Sequence, residues 1–304
     1  MSQREFVLHL QLLNDLSISL ERLGRVSVQL GQLEAARDYF TRKNELDKRL
    51  VALDPSNAKF QCDLSISYNK LGDVSLQAGQ VTEALGHYQK ALEISQKLAA
   101  AAPTDALAQV GLHVSYHRMA GVAQRAKQYQ AAITWYEKSK AVVEKLQVEN
   151  KLPLAHRGCL TGHERELTNC RLATTALGDW KTLLQQPADV LPVLLEFRAM
   201  ESVQAGDVTE TMQAVAKLRE LGTATADQLY NAACVCSLCA TAIKPVKDEL
   251  TVEQAAQRQK HIDNALQTLR EAIKAGYKDF AHMQKDSDLN VLHDLPEFKA
   301  LLPK

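Results

Sequence analysis

The sequence predicts an all-α protein, an α-α superhelix of stacked antiparallel helix pairs, and three observations support this. The phrase DLSISLERLGRV at Asp15–Val26 returns as DLSISYNKLGDV at Asp63–Val74, 63 − 15 = 48 residues later. A single active site has no use for a duplicated phrase, whereas a stack of copies requires one. Apolar residues recur at three- and four-residue spacing, the period of a helix with one buried face. Composition agrees: 46% of residues are hydrophobic but only 5% aromatic, and Ala, Leu, Gln, Glu and Lys dominate, which favours helix over sheet.

Leu8–Leu30, Ala58–Ala78 and Leu107–Ala126 are expected to be the first helices of three pairs, with Leu33–Val51, Val81–Ala101 and Tyr129–Val148 as their partners. Asp54-Pro55-Ser56-Asn57 and Pro103-Thr104-Asp105 separate the pairs. In each, proline stops one helix and Ser, Asn or Asp can cap the next. Gly31 and Gly79 mark the turns within pairs. The register reaches a third copy, since Tyr68, Leu71, Gln80 and Tyr88 map onto Tyr116, Met119, Gln128 and Tyr136. After Lys151-Leu152-Pro153 the period is lost, and Gly162–Ala176 reads as a less regular helix. AGDVTE at Ala205–Glu210 echoes AGQVTE at Ala78–Glu83 and marks a shorter pair over about 188–221. In a last pair, Tyr230–Cys234 belongs to the first helix and Ala265, Leu269 and Ala272 to the second, with Ile243–Gln257 inserted between them. The expected organisation is three long pairs in residues 1–150, then degenerate pairs and a C-terminal capping segment in 151–304. Phe280, Leu289, Leu292, Phe298 and Leu301 supply the apolar side of that cap.

In each repeat an aromatic or Leu precedes an apolar and then a small residue: Leu20, Leu23, Gly24; Tyr68, Leu71, Gly72; Tyr116, Met119, Ala120. Ala36, Ala84 and Ala132 follow, each with an aromatic four residues on, Phe40, Tyr88 and Tyr136. This order resembles the tetratricopeptide-repeat pattern W-x2-L-G…A-x3-F in a long-unit variant, the usual unit being about 34 residues. Close approach of paired helices at Gly24 and Ala36, with the aromatics filling space against the next pair, is the expected packing. The resemblance implies that first helices line a concave face that holds an extended peptide or a partner helix. On this chain that face carries Glu21, Arg25, Val28 and Gln29, then Asn69, Asp73, Leu76 and Gln77, then His117, Gln124 and Arg125. Its mixed charges and amides suit main-chain hydrogen bonding with modest charge selection. Relatives that clamp a terminal carboxylate place lysines and asparagines on successive first helices. The corresponding places here hold Glu21, Arg25, Lys70, Val114 and Arg118, a departure from that pattern. LYNAACV at Leu229–Val235, with Ala275–Asp279, Asp286–Leu289 and Leu295–Phe298, resembles the tail of tetratricopeptide regions in large bacterial serine/threonine protein kinases. A non-catalytic protein-interaction scaffold is therefore expected, with a spacer or homodimerisation arm of such a kinase as the alternative.

Other functions are disfavoured. Lys+Arg and Asp+Glu stand at 36 each, so no net field gathers phosphates and nucleic acid is not an expected partner. The start, Met1–Glu5, is polar and no apolar run suits a membrane helix, so a cytosolic protein is expected. His156-Arg157 is followed by Gly158 and Gly178-Asp179-Trp180 lacks a phosphate-site context, so the kinase motifs are missing. Gly162–Glu166 is not H-E-x-x-H. Cys234, Cys236 and Cys239 cannot converge from one helix, because the latter two lie about 200° and 140° around from the first. They read as reduced core residues. His113 and His117 share a helical face, read as solvated and polar rather than metal-binding. No cofactor, metal or catalytic residue is expected.

Overall fold

The computed structural model describes residues 2–245 and 249–303, and among them the regular elements are all helical. The chain divides into two compact units, Met1–Arg171 and Leu172–Lys304. The first holds α1 (Gln3–Gln29), α2 (Leu33–Leu53), α3 (Ala58–Gln77), α4 (Val81–Ala101), α5 (Ala106–Arg125) and α6 (Tyr129–Val148), which pack as three consecutive antiparallel pairs stacked in chain order. A 3-10 turn (Leu154–His156) then leads into α7 (Cys159–Ala176), whose residues to Arg171 complete this unit. This is the tetratricopeptide-like helix-pair architecture that the sequence predicts.

Local chemistry sets the helix ends. Asn57 and Asp105, at one register position, accept hydrogen bonds from the first amides of α3 and α5. Within each pair the chain reverses through a left-handed residue: Gly31 (φ 72°), Gly79 (φ 77°) and, in the third copy, Lys127 (φ 59°). The amides of Gln32, Gln80 and Gln128 reach back to the carbonyls of Ser27, Ser75 and Ala123, satisfying the helix C-terminus.

Pair spacing is set by the small residue beneath the aromatic. A Cβ on Gly24 would sit 2.6 Å from Phe40 Cε1, and one on Gly72 would sit 2.4 Å from Tyr88 Cε1. Each ring thus lies on the glycine of its own pair, a refinement of the expected packing against the next pair. The ring's other side does meet that neighbour: Phe40 clusters with Leu71 and Val74, and Tyr88 with Met119 and Val122. Ala36, Ala84 and Ala132 are fully buried.

The period outlasts the expected break after Pro153. His163, Leu167 and Cys170 of α7 are buried at the register of Ser115, Met119 and Val122, and of Ser67, Leu71 and Val74 before them. Leu167 and Cys170 join Ala132, Ile133 and Tyr136 in one cluster. α7 is therefore a fourth first helix, and the first unit extends past the boundary expected after residue 150. The phrase was unreadable because the repeat survives only at its buried positions.

In the second unit α8 (Trp180–Leu184) precedes a pair, α9 (Leu191–Gln204) and α10 (Val208–Glu220), and a second pair, α11 (Ala226–Ala242) and α12 (Val252–Lys274). α8 is a single short turn of helix begun by Asp179, whose side chain accepts from the Thr182 amide. The expected insertion, Ile243–Gln257, gives way to helix at Val252, where Thr251 and Gln254 form a capping box; residues 246–248 of that stretch lie outside the described residues. The tail folds as α13 (Phe280–Met283), a 3-10 turn (Ser287–Leu289) and α14 (Pro296–Lys299). Met283, Leu289, Leu292 and Phe298 are buried in one cluster with core residues of α11 and α12, and Phe280 and Leu301 lie half-buried against it. Asp286 fixes the tail to α11 by accepting a 2.6 Å hydrogen bond from the Tyr230 hydroxyl. Burial alone would raise the Asp286 carboxyl, but bonds from Tyr230, the Asp288 amide and Cys234 hold it below the usual carboxylate range.

Gly72→Ala should destabilise the chain by about 1–3 kcal/mol, the cost of overpacking a filled core, as measured by urea unfolding. An unchanged midpoint would show that the Tyr88 ring is free to move.

Candidate partner-binding face

A polar seam runs through the first unit, its first-helix members at fixed register (Ser17, Ser65, His113; Ser67, Ser115, His163) and its second-helix members displaced by up to one turn. In the first pair, buried Lys43 donates to Ser17 Oγ (3.1 Å) and Asp47 Oδ2 (3.0 Å), and Ser17 donates to Asp47. Ser65 and Ser95 take the places of Ser17 and Asp47 in the second pair, 2.9 Å apart. In the third, His113 Nδ1 lies 2.8 Å from Ser139 Oγ. Neighbouring pairs join the same seam through Asn44–Ser67 (2.8 Å), Ser95–Ser115 (2.9 Å) and Ser139–His163 (3.0 Å). Buried polar groups are kept where they find partners, and here, apart from Lys43–Asp47 within α2, the partners come from a facing helix.

The expected binding residues stand beside this seam. Arg25, Val28 and Gln29 of α1 and Asp73 and Gln77 of α3 converge, with Lys70, Phe40 and Val74, on a cleft of about 220 Å³. Lys70, read from sequence only as a clamp-like position, lines the same cleft. Other expected residues are engaged internally. Asp73 accepts from the Tyr88 hydroxyl (2.8 Å) and pairs with Arg118 (3.0 Å). Gln124 accepts from the Tyr136 hydroxyl (2.9 Å) and donates to Glu166 (3.2 Å). Beside carboxylates and in partly buried surroundings, both tyrosine hydroxyls are pushed up: burial is the largest cause, followed by Asp73 for Tyr88 and Glu166 for Tyr136. Leu76 packs against the cluster around Tyr88, and Arg125 is exposed. Glu21, Asn69 and His117 share one register position. Glu21 lies 3.5 Å from Lys43 Nζ, while Asn69 Oδ1 and His117 Nδ1 are buried atoms without a hydrogen-bond partner.

The solvated reading of His113 and His117 is corrected. His113 is 3% exposed and His117 half-buried, because the third pair places imidazoles where earlier pairs place Ser17, Ser65, Glu21 and Asn69. Their rings gather with those of His156 and His163 at centroid separations of 5.2–6.4 Å. Burial, then the neighbouring imidazoles, pushes His113 down to about 3; burial pushes His117 down to about 4. Sequence reasoning missed His156 and His163 because they follow the point where the period fades. In the second unit Cys234, Cys236 and Cys239 are buried apart, Cys234 near Asp286 (3.5 Å) and Cys236 near Met212 Sδ (4.0 Å). Burial raises all three thiols, Cys236 to about 12 and Cys239 to about 11.

Residues 67–172 match a family described as "Protein of unknown function (DUF2753)". No curated protein matches the chain. Among solved structures, a tetratricopeptide repeat protein from Parabacteroides merdae ATCC 43184 aligns over 90% of this chain and 98% of its own, at 16% identity and a TM-score of 0.25. Within the described residues no helix is long and apolar enough to cross a membrane.

Lys43→Ala should cost about 3 kcal/mol or more, because it strands Asp47 as an unpaired buried charge. Lys43→Ala/Asp47→Ser, which copies Ala91 and Ser95 of the second pair, should recover most of that loss in urea unfolding.

Proposed function

We propose that this chain is a non-catalytic interaction scaffold that holds an extended peptide segment of a partner protein on the face formed by α1, α3 and α5. The observation that carries the reading is the cleft between α1 and α3. There Arg25 and Lys70 bring positive charge beside the amides of Gln29 and Gln77 and the apolar flank of Val28 and Val74. Amides can pair with both donors and acceptors of an extended backbone, while the two cations select an acidic or carboxylate-bearing residue. Asp73 and Gln124 shape this face rather than contact the ligand, since tyrosine hydroxyls and neighbouring side chains already occupy them. Asn69 Oδ1 and His117 Nδ1 are buried from solvent, Glu21 is tied to Lys43, and Leu76 supports the core.

Peptides selected on the purified chain from a displayed random library should be enriched in acidic residues. Arg25→Glu/Lys70→Glu/Arg125→Glu should weaken them by about 1–3 kcal/mol without loss of helicity. Equal binding by the triple variant sinks the proposed face.

A second reading is a dimerising arm, such as the regulatory repeat region of a serine/threonine protein kinase. It is favoured by α1, where Leu12, Leu16, Leu23 and Val26 are 48–60% exposed. Their register equivalents Phe60, Leu64, Leu71 and Val74 are buried in α3. The occupant proposed for this stripe is α1 of a second copy, since a two-fold axis would set the same apolar stripe against itself. Sedimentation should show a concentration-dependent dimer that Leu16→Glu/Leu23→Glu abolishes. A monomer at all concentrations removes this reading and leaves the first.

A further inference from the structure

We propose that His113, His156 and Cys159 form a binding site for one divalent cation of borderline softness, with zinc the best fit. Each offers one ligand atom, and the three atoms lie within 4.8 Å of one another. His156 Nδ1 and Cys159 Sγ are 3.9 Å apart across the turn that opens α7. Bond lengths of about 2.0–2.1 Å to nitrogen and 2.3 Å to sulfur put tetrahedral neighbours roughly 3.6 Å apart. That pair therefore stands close to the spacing a metal needs, and His113 completes it from α5 with a modest inward shift. The donors come from three segments, α5, the 3-10 turn and the start of α7, so their encounter is a product of the fold.

Hydrogen bonding sets the tautomer of the deepest ligand. The Cys159 carbonyl can only accept, so the His163 Nδ1 beside it (2.6 Å) carries the proton and its Nε2 does not. Ser139 then donates its hydroxyl proton to His163 Nε2 (3.0 Å), sharing it with the His113 carbonyl (3.0 Å). A lone pair of Ser139 Oγ accepts from His113 Nδ1–H (2.8 Å). His113 Nε2 is left with a bare lone pair, as a metal ligand requires, and its ring is held by a hydroxyl as ligating imidazoles are. Two nitrogens and one thiolate match zinc or cobalt rather than magnesium or calcium, and water takes the fourth place. Cys159 releases its proton to solvent as the metal–sulfur bond forms. Such an ion would pin the α6–α7 connection to α5. It involves none of the residues of the proposed cleft, so either can fail without the other.

The test uses the full chain, freed of metal with a chelator and titrated with Co²⁺ and then Zn²⁺. One equivalent of Co²⁺ should produce a thiolate-to-cobalt charge-transfer band that Zn²⁺ displaces. Cys159→Ser should abolish the band, His156→Ala should weaken binding about tenfold or more, and Cys62→Ser should change neither. The two ligands substituted are only half-buried, and circular dichroism checks that the variants remain helical. A folded parent chain without the band, or a band that survives Cys159→Ser, overturns the proposal.

Discussion

The close approach of paired helices at Gly24, Gly72 and Ala120 is the constraint on which the first unit depends. With no side chain, or a single methyl group, at this position, the aromatic four residues after the alanine can lie flat across the facing helix. Its far edge then reaches the next pair. One ring thus joins helices of its own pair and of the neighbour, so spacing within pairs and stacking between pairs are set by the same contact. Only Gly leaves room for Phe40 and Tyr88 at the distances found. Where Ala120 replaces Gly, Tyr136 stays buried and its hydroxyl finds Gln124 instead of a carboxylate.

Because spacing is fixed by that contact, the seam beside it is free to change chemistry from copy to copy. Ser17, Ser65 and His113 hold one place on successive first helices, and their partners are a Lys–Asp ion pair, Ser95 and Ser139, the last one turn displaced to the register of Lys43. Each is internally satisfied, which is the condition for tolerating polar groups in an interior. The interchange also explains why the third pair gathers imidazoles: one His at the seam, one at the neighbouring face position and two from the segment that follows. A scaffold that keeps packing positions constant while varying the rest can present different chemistry along its length.

Tyrosines link this interior to the candidate binding face. The hydroxyls of Tyr88 and Tyr136 emerge at Asp73 and Gln124, so residues that look like free ligand contacts in the sequence are held from beneath. Arg25, Gln29, Lys70 and Gln77 have no such support and line the cleft. In the second unit Tyr230 plays a comparable part: it stacks on Tyr277 at 4.2 Å and donates to Asp286, fastening the capping tail to α11.

The sequence by itself determined the helices of the first three pairs, their caps at Asn57 and Asp105, the turns at Gly31 and Gly79 and the apolar cap of the C-terminus. Each of these follows from local chemistry or from a period in the chain. Tertiary structure decided what period could not express. α7 keeps the register only through His163, Leu167 and Cys170, and three buried positions without the surrounding phrase are invisible until a partner helix shows which side is inward. Lys127 adopts a left-handed turn without glycine because the repeat around it imposes the path. The sequence leads one to expect Asp73 and Gln124 to be free for a ligand, but their hydroxyl partners lie 15 and 12 residues away on another helix. The meeting of His113 with His156 and Cys159 joins residues more than forty positions apart, and only the packing of α5 against the start of α7 brings those donors together.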